Sequence, residues 1–389
     1  MSASSLRRAR AVRACAVAVL TLALGLAWSV VSPAYAAGGS AWTVGLGSDG
    51  QLGDGGTTSR RTFGPVDALT DVAQVAGGRE HVLALDGTGR VWSWGDGSKG
   101  ATGTGSLTDV RTPTVVPGLP RATQVATGHY HSLALLADGT VRAWGMNSLG
   151  QLGDGTTKRR SSPVAVLGLS GVLSVSGGRD ASYAVRSDHT VMAWGGGAYG
   201  ELGNGTTTTR QLTPVHVPSL SGVVQVAAGR NHAIALMADG TLRAWGLNSS
   251  GQLGDGTRTS RTTPVAVRGV TNAVQVSAGA LHSVALLADG TVLTWGEGSR
   301  GQLGSGSKAD RLVPAAVAGV PAGARIGTGR DHTLVATRTG QLWDWGMNDT
   351  GQLGDGTTTT RLRPVQVAGI SNAVEAGGGR GYTVLLRAG

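Results

Sequence analysis

A turn with the pattern Gly-x-x-His recurs about every 50 residues, and its second residue is basic in most copies. In chain order that residue is Arg79, His129, Arg179, Arg230, Ala280, Arg330 and Arg380. Five arginines on one rim would form a shallow cationic platform for an acidic protein surface or an anionic wall polymer, because Arg is favoured at interfaces. Acidic residues follow three of the arginines. The alternative is therefore a solvated rim of local ion pairs, which contribute little when exposed.

Aromatic side chains are 4% of the chain, and most of them are tryptophans at repeated positions. Tyr130 and Tyr199 are the obvious aromatic anchors close to the basic turns. The candidate binding residues are Arg79, His129, Tyr130, Arg179, Tyr199, Arg230, Arg330 and Arg380.

Five copies of the turn end in histidine, which raises the question of a metal site. The five are His81, His131, His232, His282 and His332, whereas Ala181 and Tyr382 replace histidine in the other two copies. Equivalent positions of a radial repeat point away from a common centre of coordination, so three of them would not converge on one ion. We expect neutral imidazoles that bond a neighbouring turn, and no metal.

Acidic residues also recur six positions before an arginine. The pairs are Asp54 with Arg60, Asp154 with Arg160, Asp255 with Arg261 and Asp355 with Arg361. The ligand spacing of an EF-hand is absent, which favours a structural ion pair over a bound cation. Asn204 and Ser305 lack the carboxylate although Arg210 and Arg311 remain, so these arginines are expected to bond carbonyl groups as well.

Signatures of catalysis and nucleotide binding are missing from the sequence. No Gly-Lys-Ser/Thr loop and no Gly-x-Ser-x-Gly elbow occurs, and no Ser-His-Asp set stands apart from the repeat positions. The sequence therefore predicts neither enzymatic activity nor a cofactor.

The positions of these residues depend on a longer repeat. Trp245-Gly246 followed by Gly251-Gln252-Leu253-Gly254-Asp255-Gly256 recurs with variations, and the paired glycine falls at 45, 95, 145, 195, 246, 296 and 346. The step is 50 residues, and once 51. A fixed period of this size is typical of repeat architectures.

One unit is predicted to contain four short strands and no helix. They are Pro214–Val217, Val224–Ala228, Ala233–Met237 and Thr241–Trp245. Large Ile234 and Leu236 alternate with small Ala233 and Ala235, which is expected of a strand buried on both faces. Seven such units predict an all-β, seven-bladed β-propeller of four-stranded antiparallel blades.

The two ends of the repeat complement each other. The last unit lacks the strand before Trp-Gly, and Ala41–Val44 supplies that strand at the start. The sequence predicts a closing blade of Pro364–Val367, Val374–Ala376 and Tyr382–Leu386, completed by the N-terminal strand. Closure of this kind leaves the last blade without a free edge.

Residues 1–36 have the order of a secretory signal peptide. Four arginines precede an apolar run from Ala14 to Val31, and Ala34-Tyr35-Ala36 forms a cleavage site. The predicted product is a secreted, extracellular propeller of residues 37–389 without a membrane anchor, and the general and twin-arginine export routes both stay open. Cys15 is the only cysteine, so the product has no disulfide. Loss of the four leader arginines lowers the net charge from +10 to about +6.

The up-and-down order of the strands, which we call strand parity, predicts which rim of the propeller binds a partner. Alternate connections of a meander share a rim, so the Gly-x-x-His turns should lie beside the long connections that follow Trp-Gly. The Asp-Gly hairpins should occupy the other rim. Variation among copies is concentrated in the long connections, where packing does not fix the residue.

Trp-Gly, Gly-Gln-Leu-Gly-Asp-Gly, Arg-x-x-Pro, Gly-x-x-His and Asp-Gly-Thr together resemble the repeats of the regulator-of-chromosome-condensation superfamily over residues 41–389. The resemblance implies a seven-bladed propeller. The eponymous member is a nucleotide exchange factor that uses a wedge-like insertion, for which a constant repeat step leaves no room. Exchange is therefore the least favoured function.

Secreted β-lactamase-inhibitor propellers are a more distant resemblance. Their rim is rich in aromatic residues, and the rim predicted for this chain is not. The sequence favours a secreted, non-enzymatic binding scaffold, acting as a monomer on a protein or anionic polymer and not on specific nucleic acid. An inhibitor of an extracellular enzyme such as a β-lactamase is the alternative.

Overall fold

The protein is described by a computed structural model covering residues 38–389. This range folds into 28 β-strands and contains no helix. The strands form seven four-stranded antiparallel sheets, which are the blades of the expected propeller. Within the same range no helix could span a membrane. The predicted signal peptide, residues 1–36, lies outside the described residues.

Blades 1 to 3 each use four consecutive strands. Blade 1 contains β3 (Val72–Gly77), β4 (His81–Asp86), β5 (Val91–Gly95) and β6 (Val110–Val115). Blade 2 contains β7 (Ala122–Thr127), β8 (His131–Leu136), β9 (Val141–Gly145) and β10 (Arg160–Ala165). Blade 3 contains β11 (Val172–Gly177), β12 (Ala181–Arg186), β13 (Val191–Gly195) and β14 (Gln211–His216).

Blades 4 to 6 repeat the same order. Blade 4 contains β15 (Val223–Ala228), β16 (His232–Met237), β17 (Leu242–Gly246) and β18 (Arg261–Ala266). Blade 5 contains β19 (Ala273–Ala278), β20 (His282–Leu287), β21 (Val292–Gly296) and β22 (Arg311–Ala316). Blade 6 contains β23 (Gly323–Thr328), β24 (His332–Thr337), β25 (Leu342–Gly346) and β26 (Arg361–Gln366).

Blade 7 combines both ends of the described chain. Its strands are β27 (Ala373–Gly378), β28 (Tyr382–Arg387), β1 (Ser40–Gly45) and β2 (Arg60–Pro65), and β1 pairs antiparallel with β28 from Ser40↔Arg387 to Gly45↔Tyr382. The predicted N-terminal closure is confirmed.

One part of the predicted closing blade is wrong. The segment Pro364–Val367 was expected in it, but residues 364–366 belong to β26, which pairs with β25 in blade 6. For the same reason the predicted strand Pro214–Val217 lies mainly in β14 of blade 3 and not in the blade of Val224–Ala228. The outermost strand of each blade follows its Trp-Gly strand across the long connection. Two N-terminal strands therefore close the ring, where one was expected.

The two faces of each blade pack on different neighbours. Ile234 and Leu236 of β16 join a core cluster with Trp295 of blade 5. Ala233 and Ala235 of the same strand join a cluster with residues of blade 3 and with Trp245. The predicted alternation of large and small side chains is thus the alternation between two interblade interfaces.

Each tryptophan of the Trp-Gly motif is fully buried between two blades. Trp245 is completely inaccessible, and its indole Nε1 donates a hydrogen bond to the carbonyl oxygen of Glu201 in blade 3 at 2.7 Å. The glycine after it is required by backbone geometry, because Gly246 has φ of +99° and a Cβ there would collide with the carbonyl oxygen of Asn231. The motif therefore turns the chain from the core towards one rim.

Candidate binding rim around the channel mouth

The Gly-x-x-His turns are joined to one another in a closed ring of backbone hydrogen bonds. The second residue of each turn donates its N–H to the next turn: Arg79 to His129, His129 to Gly178, Arg179 to Gly229, Arg230 to Ala280, Ala280 to Arg330, Arg330 to Gly379 and Arg380 to Arg79. Donor–acceptor distances run from 2.8 Å to 3.2 Å. This ring surrounds the mouth of the central channel.

Six of the eight predicted binding residues meet at this mouth. A cavity of about 200 Å³ is lined by turn glycines and by the second residues of the turns. Those second residues are Arg79, His129, Arg179, Arg230, Ala280, Arg330 and Arg380. The sequence placed these side chains at one register, and the structure places them around one cavity.

Ion pairs link most of the arginines to acidic residues of the turns. Arg79, Arg179 and Arg330 approach the adjacent acidic residue through Nε at 3.4, 3.1 and 3.3 Å. Arg380 also reaches Glu80, at 3.6 Å through Nη1. The local ion pairs considered in the sequence analysis therefore exist. They leave five guanidinium groups facing three carboxylates.

Burial governs the ionisation of the other groups at the mouth. It lowers the pKa of His129 to about 3, and the positive charges of Arg179, Arg79, Arg230 and Arg330 act in the same direction. Burial also raises the pKa of Glu80, Asp180 and Asp331, although each faces at least one arginine that lowers it. His129 is therefore neutral at pH 7, and the arginines supply the positive charge.

The two predicted tyrosines lie outside the cavity. Tyr130 is half-buried, accepts a hydrogen bond from Arg79 Nη1 through its hydroxyl, and has the Arg79 guanidinium over its ring at 5.0 Å. Tyr199 is 50% exposed on the long connection of blade 3. Tyr130 thus positions one arginine of the ring, and Tyr199 belongs to the outer part of the rim.

Turns and long connections share this rim, as strand parity predicted. The first residue after Trp-Gly donates its N–H to the third residue of the turn in the same blade. Asp96 bonds Glu80, Gly196 bonds Asp180 and Leu247 bonds Asn231, each at 2.8 Å. The variable connections therefore begin against the turns that carry the arginines.

The turn histidines connect neighbouring blades through buried side chains. His232 Nε2 lies 3.0 Å from Ser283 Oγ of blade 5, and that hydroxyl donates to the Gln252 carbonyl at 2.8 Å. Because the hydroxyl hydrogen is used in this way, Nε2 must be the protonated ring nitrogen. The same carbonyl accepts the Trp295 indole N–H at 2.9 Å. We call this chain of histidine, hydroxyl, carbonyl and tryptophan the interblade relay.

The histidine, hydroxyl and carbonyl of the relay recur wherever a turn ends in histidine, but the His332 copy ends at the Gln352 carbonyl because Val44 stands where the other copies have tryptophan. The remaining pairs are His81 with Ser132, His131 with Ser182, His282 with Thr333 and His332 with Thr383, at 2.9 to 3.0 Å. Burial lowers the pKa of all five relay histidines to about 3 or about 4, so they are neutral. Neutral imidazoles were expected, and the bonded group is a hydroxyl on the next blade.

The hydroxyl partners escaped the sequence analysis, although a signal for them is present. Where Ala181 replaces histidine in blade 3, Ala233 replaces the hydroxyl residue in blade 4. Where Tyr382 replaces it in blade 7, Val82 replaces the hydroxyl residue in blade 1. In blade 3 the Tyr183 hydroxyl donates to the Glu201 carbonyl at 2.6 Å and so supplies the missing donor.

The long connections are fixed by the predicted Asp–Arg pairs. The carboxylate and guanidinium groups lie 3.3 Å apart for Asp54 and Arg60, 2.7 Å for Asp154 and Arg160, 3.1 Å for Asp255 and Arg261, and 2.7 Å for Asp355 and Arg361. Arg311 donates to the Ala315 carbonyl, as expected, and Arg60 donates to the Gly64 carbonyl in addition to its ion pair. For Arg210 the expectation is wrong, because its side chain is exposed and bonds no carbonyl within residues 38–389. The prediction of structural pairs is confirmed.

A buried asparagine organises three of these connections and was missed. Asn248 Nδ2 donates to Asp255 Oδ1 and to the carbonyls of Thr257 and Thr259, each at 3.1 Å. Asn147 and Asn348 do the same in blades 2 and 6. The paired aspartates are 6–9% exposed in these copies, against 32% for Asp54, which has no such asparagine.

Residues 38–389 contain no group of three His, Cys, Asp or Glu side chains arranged to hold a metal ion. The side chains at the channel mouth present guanidinium groups and the neutral imidazole of His129 on the backbone ring.

Comparison with known proteins agrees with this architecture. Residues 40–385 match the RCC1-like domain. Prp20p from Saccharomyces cerevisiae, a protein with binding properties towards Gsp1p and histones, is 25% identical with a TM-score of 0.81, over 90% of this chain and 92% of that one. Human WBSCR16 is 25% identical with a TM-score of 0.80, over 90% and 99%. Yeast RCC1 (Prp20) bound to Kap60 is 24% identical with a TM-score of 0.82, over 92% and 91%.

Proposed function

The chain belongs to the RCC1-like domain family, and from that premise we propose that it is a secreted, non-enzymatic binding scaffold. Its loop-rich rim, which carries the turns and the long connections, engages a protein or an anionic cell-surface partner. The family supplies the scaffold, and the function depends on the side chains at the rim.

The observation that carries the proposal is the backbone ring at the channel mouth. Ala280 keeps its bond to Arg330 at 2.8 Å, so the ring needs no arginine side chain to form. Five arginines nevertheless occupy this position. Side chains that the fold does not require are available to a ligand, and a rigid support limits the entropy lost on binding.

The long connections add to this surface. Their Asp–Arg pairs and buried asparagines fix the backbone, while the residues between these anchors differ from blade to blade. Variable side chains on a fixed backbone are characteristic of recognition loops. Protein binding by Prp20p is consistent with a propeller of this kind acting on macromolecules.

Export and extracellular location rest on the predicted leader of residues 1–36. An extracellular scaffold meets anionic wall polymers and the surfaces of other exported proteins, for which a rim rich in arginine is suited. Processing of the leader is testable by N-terminal sequencing of the protein recovered from culture medium, which should begin at Ala37.

The proposal is tested by capture from culture supernatant and cell-wall fractions. Wild type is compared with a ring variant in which Arg79, Arg179, Arg230, Arg330 and Arg380 are all changed to Ala. A second variant with Arg121 and Arg338 changed to Ala removes two exposed arginines from the opposite rim, which carries the hairpins. Capture that is lost only in the ring variant supports the proposal, and equal capture by all three proteins contradicts it.

The alternative, inhibition of an extracellular enzyme, uses the same rim and gives a different result. The captured partner would then be a hydrolase such as a β-lactamase, and its activity would fall in proportion to bound propeller. Turnover of a substrate by the propeller itself would contradict a non-enzymatic role.

A further inference from the structure

Positive charge exceeds negative charge at the channel mouth, and the excess comes from particular arginines. Arg79 and Arg380 share the single carboxylate of Glu80, at 3.4 and 3.6 Å. In blade 4, Asn231 follows Arg230 where the turns of blades 1, 3 and 6 have an acidic residue, and Arg230 makes no ion pair within the described part of the chain. Five guanidinium groups against three carboxylates leave a surplus of two positive charges.

The arginines that carry the surplus positive charge lie on opposite sides of the propeller axis. Arg79 and Arg380 lie on the adjacent blades 1 and 7, and blade 4 with Arg230 lies across the ring from them. Positive potentials from opposite sides add at the centre, inside the glycine-lined cavity. The depressed pKa of His129, to which four of the arginines contribute, agrees with a positive potential at that place.

The donors that face the cavity are side chains. The backbone N–H groups of the second turn residues are used by the ring, so they cannot form an anion-binding nest. Arg179 and Arg330 approach their carboxylates through Nε, which leaves the terminal Nη donors of each guanidinium for a ligand. Guanidinium forks match the oxygens of carboxylate and phosphate groups.

The size and charge of the site distinguish between these two groups. A cavity of about 200 Å³ accepts one projecting group with a few water molecules, and not a flat protein surface. A carboxylate carries a single charge and two oxygens. A phosphate monoester carries about −1.5 to −2 at pH 7 and has three terminal oxygens, which can bridge guanidinium groups on different blades.

We propose that the channel mouth is a site for one dianionic phosphoryl group, held on the propeller axis by guanidinium groups from opposite blades. The proposal rests on the proposed function and deepens it, since it assigns the anionic partner a phosphate-bearing group. Arg230 is the residue on which binding depends most, because it forms no ion pair of its own and influences the carboxylate of Asp180 only at longer range.

The proposal is tested by isothermal titration calorimetry at pH 7.5 with inorganic phosphate and with tripolyphosphate. We expect saturable binding of one ligand per chain, weakened about tenfold by Arg230→Ala, the effect of one lost charge-assisted hydrogen-bonded contact. Arg230→Lys should lose less, and Ala280→Arg should bind more tightly. Arg121→Ala is the matched control, because it removes an exposed arginine from the opposite rim.

The two ligands distinguish the source of the phosphate. Tighter binding of tripolyphosphate indicates the phosphoryl end of a polymer, and equal binding indicates free phosphate. Absence of saturation with either ligand at millimolar concentration overturns the proposal. So does equal binding by wild type and Arg230→Ala, or tighter binding of a polyglutamate peptide, which would identify an acidic protein segment as ligand.

This result is separable from the proposed function. Phosphate binding without any effect of the ring variant on capture would preserve the site and contradict the scaffold role. Capture that needs the arginines, without phosphate binding, would preserve the scaffold role and contradict the phosphoryl site. Melting temperatures of all variants show whether a loss of binding is only a loss of fold.

Discussion

Two residues of one turn, Arg230 and His232, have opposite roles in this propeller. Arg230 lines the channel mouth and its side chain takes no part in the backbone ring. His232 is buried and bonded to blade 5, and its ring is neutral. Within three residues the turn therefore both holds two blades together and displays a charge. Substitution at the relay position should alter stability, and substitution at the ring position should alter binding.

The largest loss of stability is expected on acidification, because protonation of the histidines breaks all five relays together. The pKa of His232 is lowered from 6.5 to about 4, so its contribution to stability is complete above pH 6.5 and is lost as pH falls towards 4. At pH 5 this costs about 2 kcal/mol for one histidine, and five relay histidines act in the same direction. The denaturant midpoint should fall steeply between pH 7 and pH 5.

The ring variant, which keeps every relay histidine, serves as the control for this pH profile and should show the same fall. A midpoint that stays constant between pH 7 and pH 5 would contradict the assignment of the five relay histidines as buried, neutral imidazoles.

A single relay can be broken by His232→Ala. We expect a loss of about 2–3 kcal/mol of unfolding free energy, because the change removes a buried hydrogen bond and leaves a cavity. The measurement is urea denaturation followed by tryptophan fluorescence. The double variant His232→Ala with Ser283→Ala recreates the natural pair of Ala181 and Ala233, so its loss should be smaller than the sum of the single losses. Additive losses would show that the two residues are not coupled.

Removing a buried polar group that belongs to no relay should stabilise the protein, whereas His232→Ala destabilises it. Asp344 is fully buried in blade 6, and among the described residues its carboxyl oxygens have no hydrogen-bond partner of good geometry, although the nearby backbone N–H of Trp345 opposes the effect of burial on its pKa. Burial raises its pKa well above the usual value, so its neutral form is favoured in the fold and stability is lost as pH rises above about 4. Asp344→Ala should stabilise the protein at pH 7 by about 1–3 kcal/mol.

The equivalent position of blade 5 provides the matched control for Asp344. Thr294 is also fully buried, but its hydroxyl donates to the Leu303 carbonyl at 2.8 Å. Thr294→Ala should therefore destabilise the protein. If both alanine variants shift the melting temperature in the same direction, hydrogen bonding does not explain the difference between the two sites.

The smallest expected effect on stability is that of Arg230→Ala, within about 0.5 kcal/mol, because the half-buried side chain makes no ion pair or hydrogen bond with the described residues. Thermal denaturation of this variant beside His232→Ala measures the contrast directly. A loss as large as that of the histidine variant would mean that the arginine ring is part of the structural scaffold.

Repetition made most of the fold predictable from sequence. The constant step gave the number of blades, and the missing strand of the last unit gave the closure by Ala41–Val44. The sequence did not show whether the outer strand of each unit belongs to the preceding or to the following blade. Pro364–Val367 is close in sequence to the next blade and is separated from its own blade by a long connection, yet pairing follows the long connection. A periodic sequence is compatible with either choice.

The sequence predicted which turn residues share one rim, but it did not predict all of their contacts. Equivalent turn positions had to lie on one circle, which located the arginines and His129. Tyr199 was chosen as an aromatic anchor in a variable connection, and nothing in its spacing placed it near the axis. The hydroxyl partners of the histidines needed a comparison between consecutive repeats, because each pair is split between blade n and blade n + 1.

The composition of blade 7 has a consequence for how the molecule is made. Strands β1 and β2 are synthesised first and find their sheet partners only when β27 and β28 are complete, and the Tyr382 hydroxyl then bonds carbonyl groups of the opposite end across 301 and 304 positions. Until then, the edge of β1 that later pairs with β28 is exposed in the nascent chain. Chaperones can bind this edge, and other strands can pair with it incorrectly. Assembly should therefore finish in one late, slow step, set by the longest loop that the polypeptide has to close.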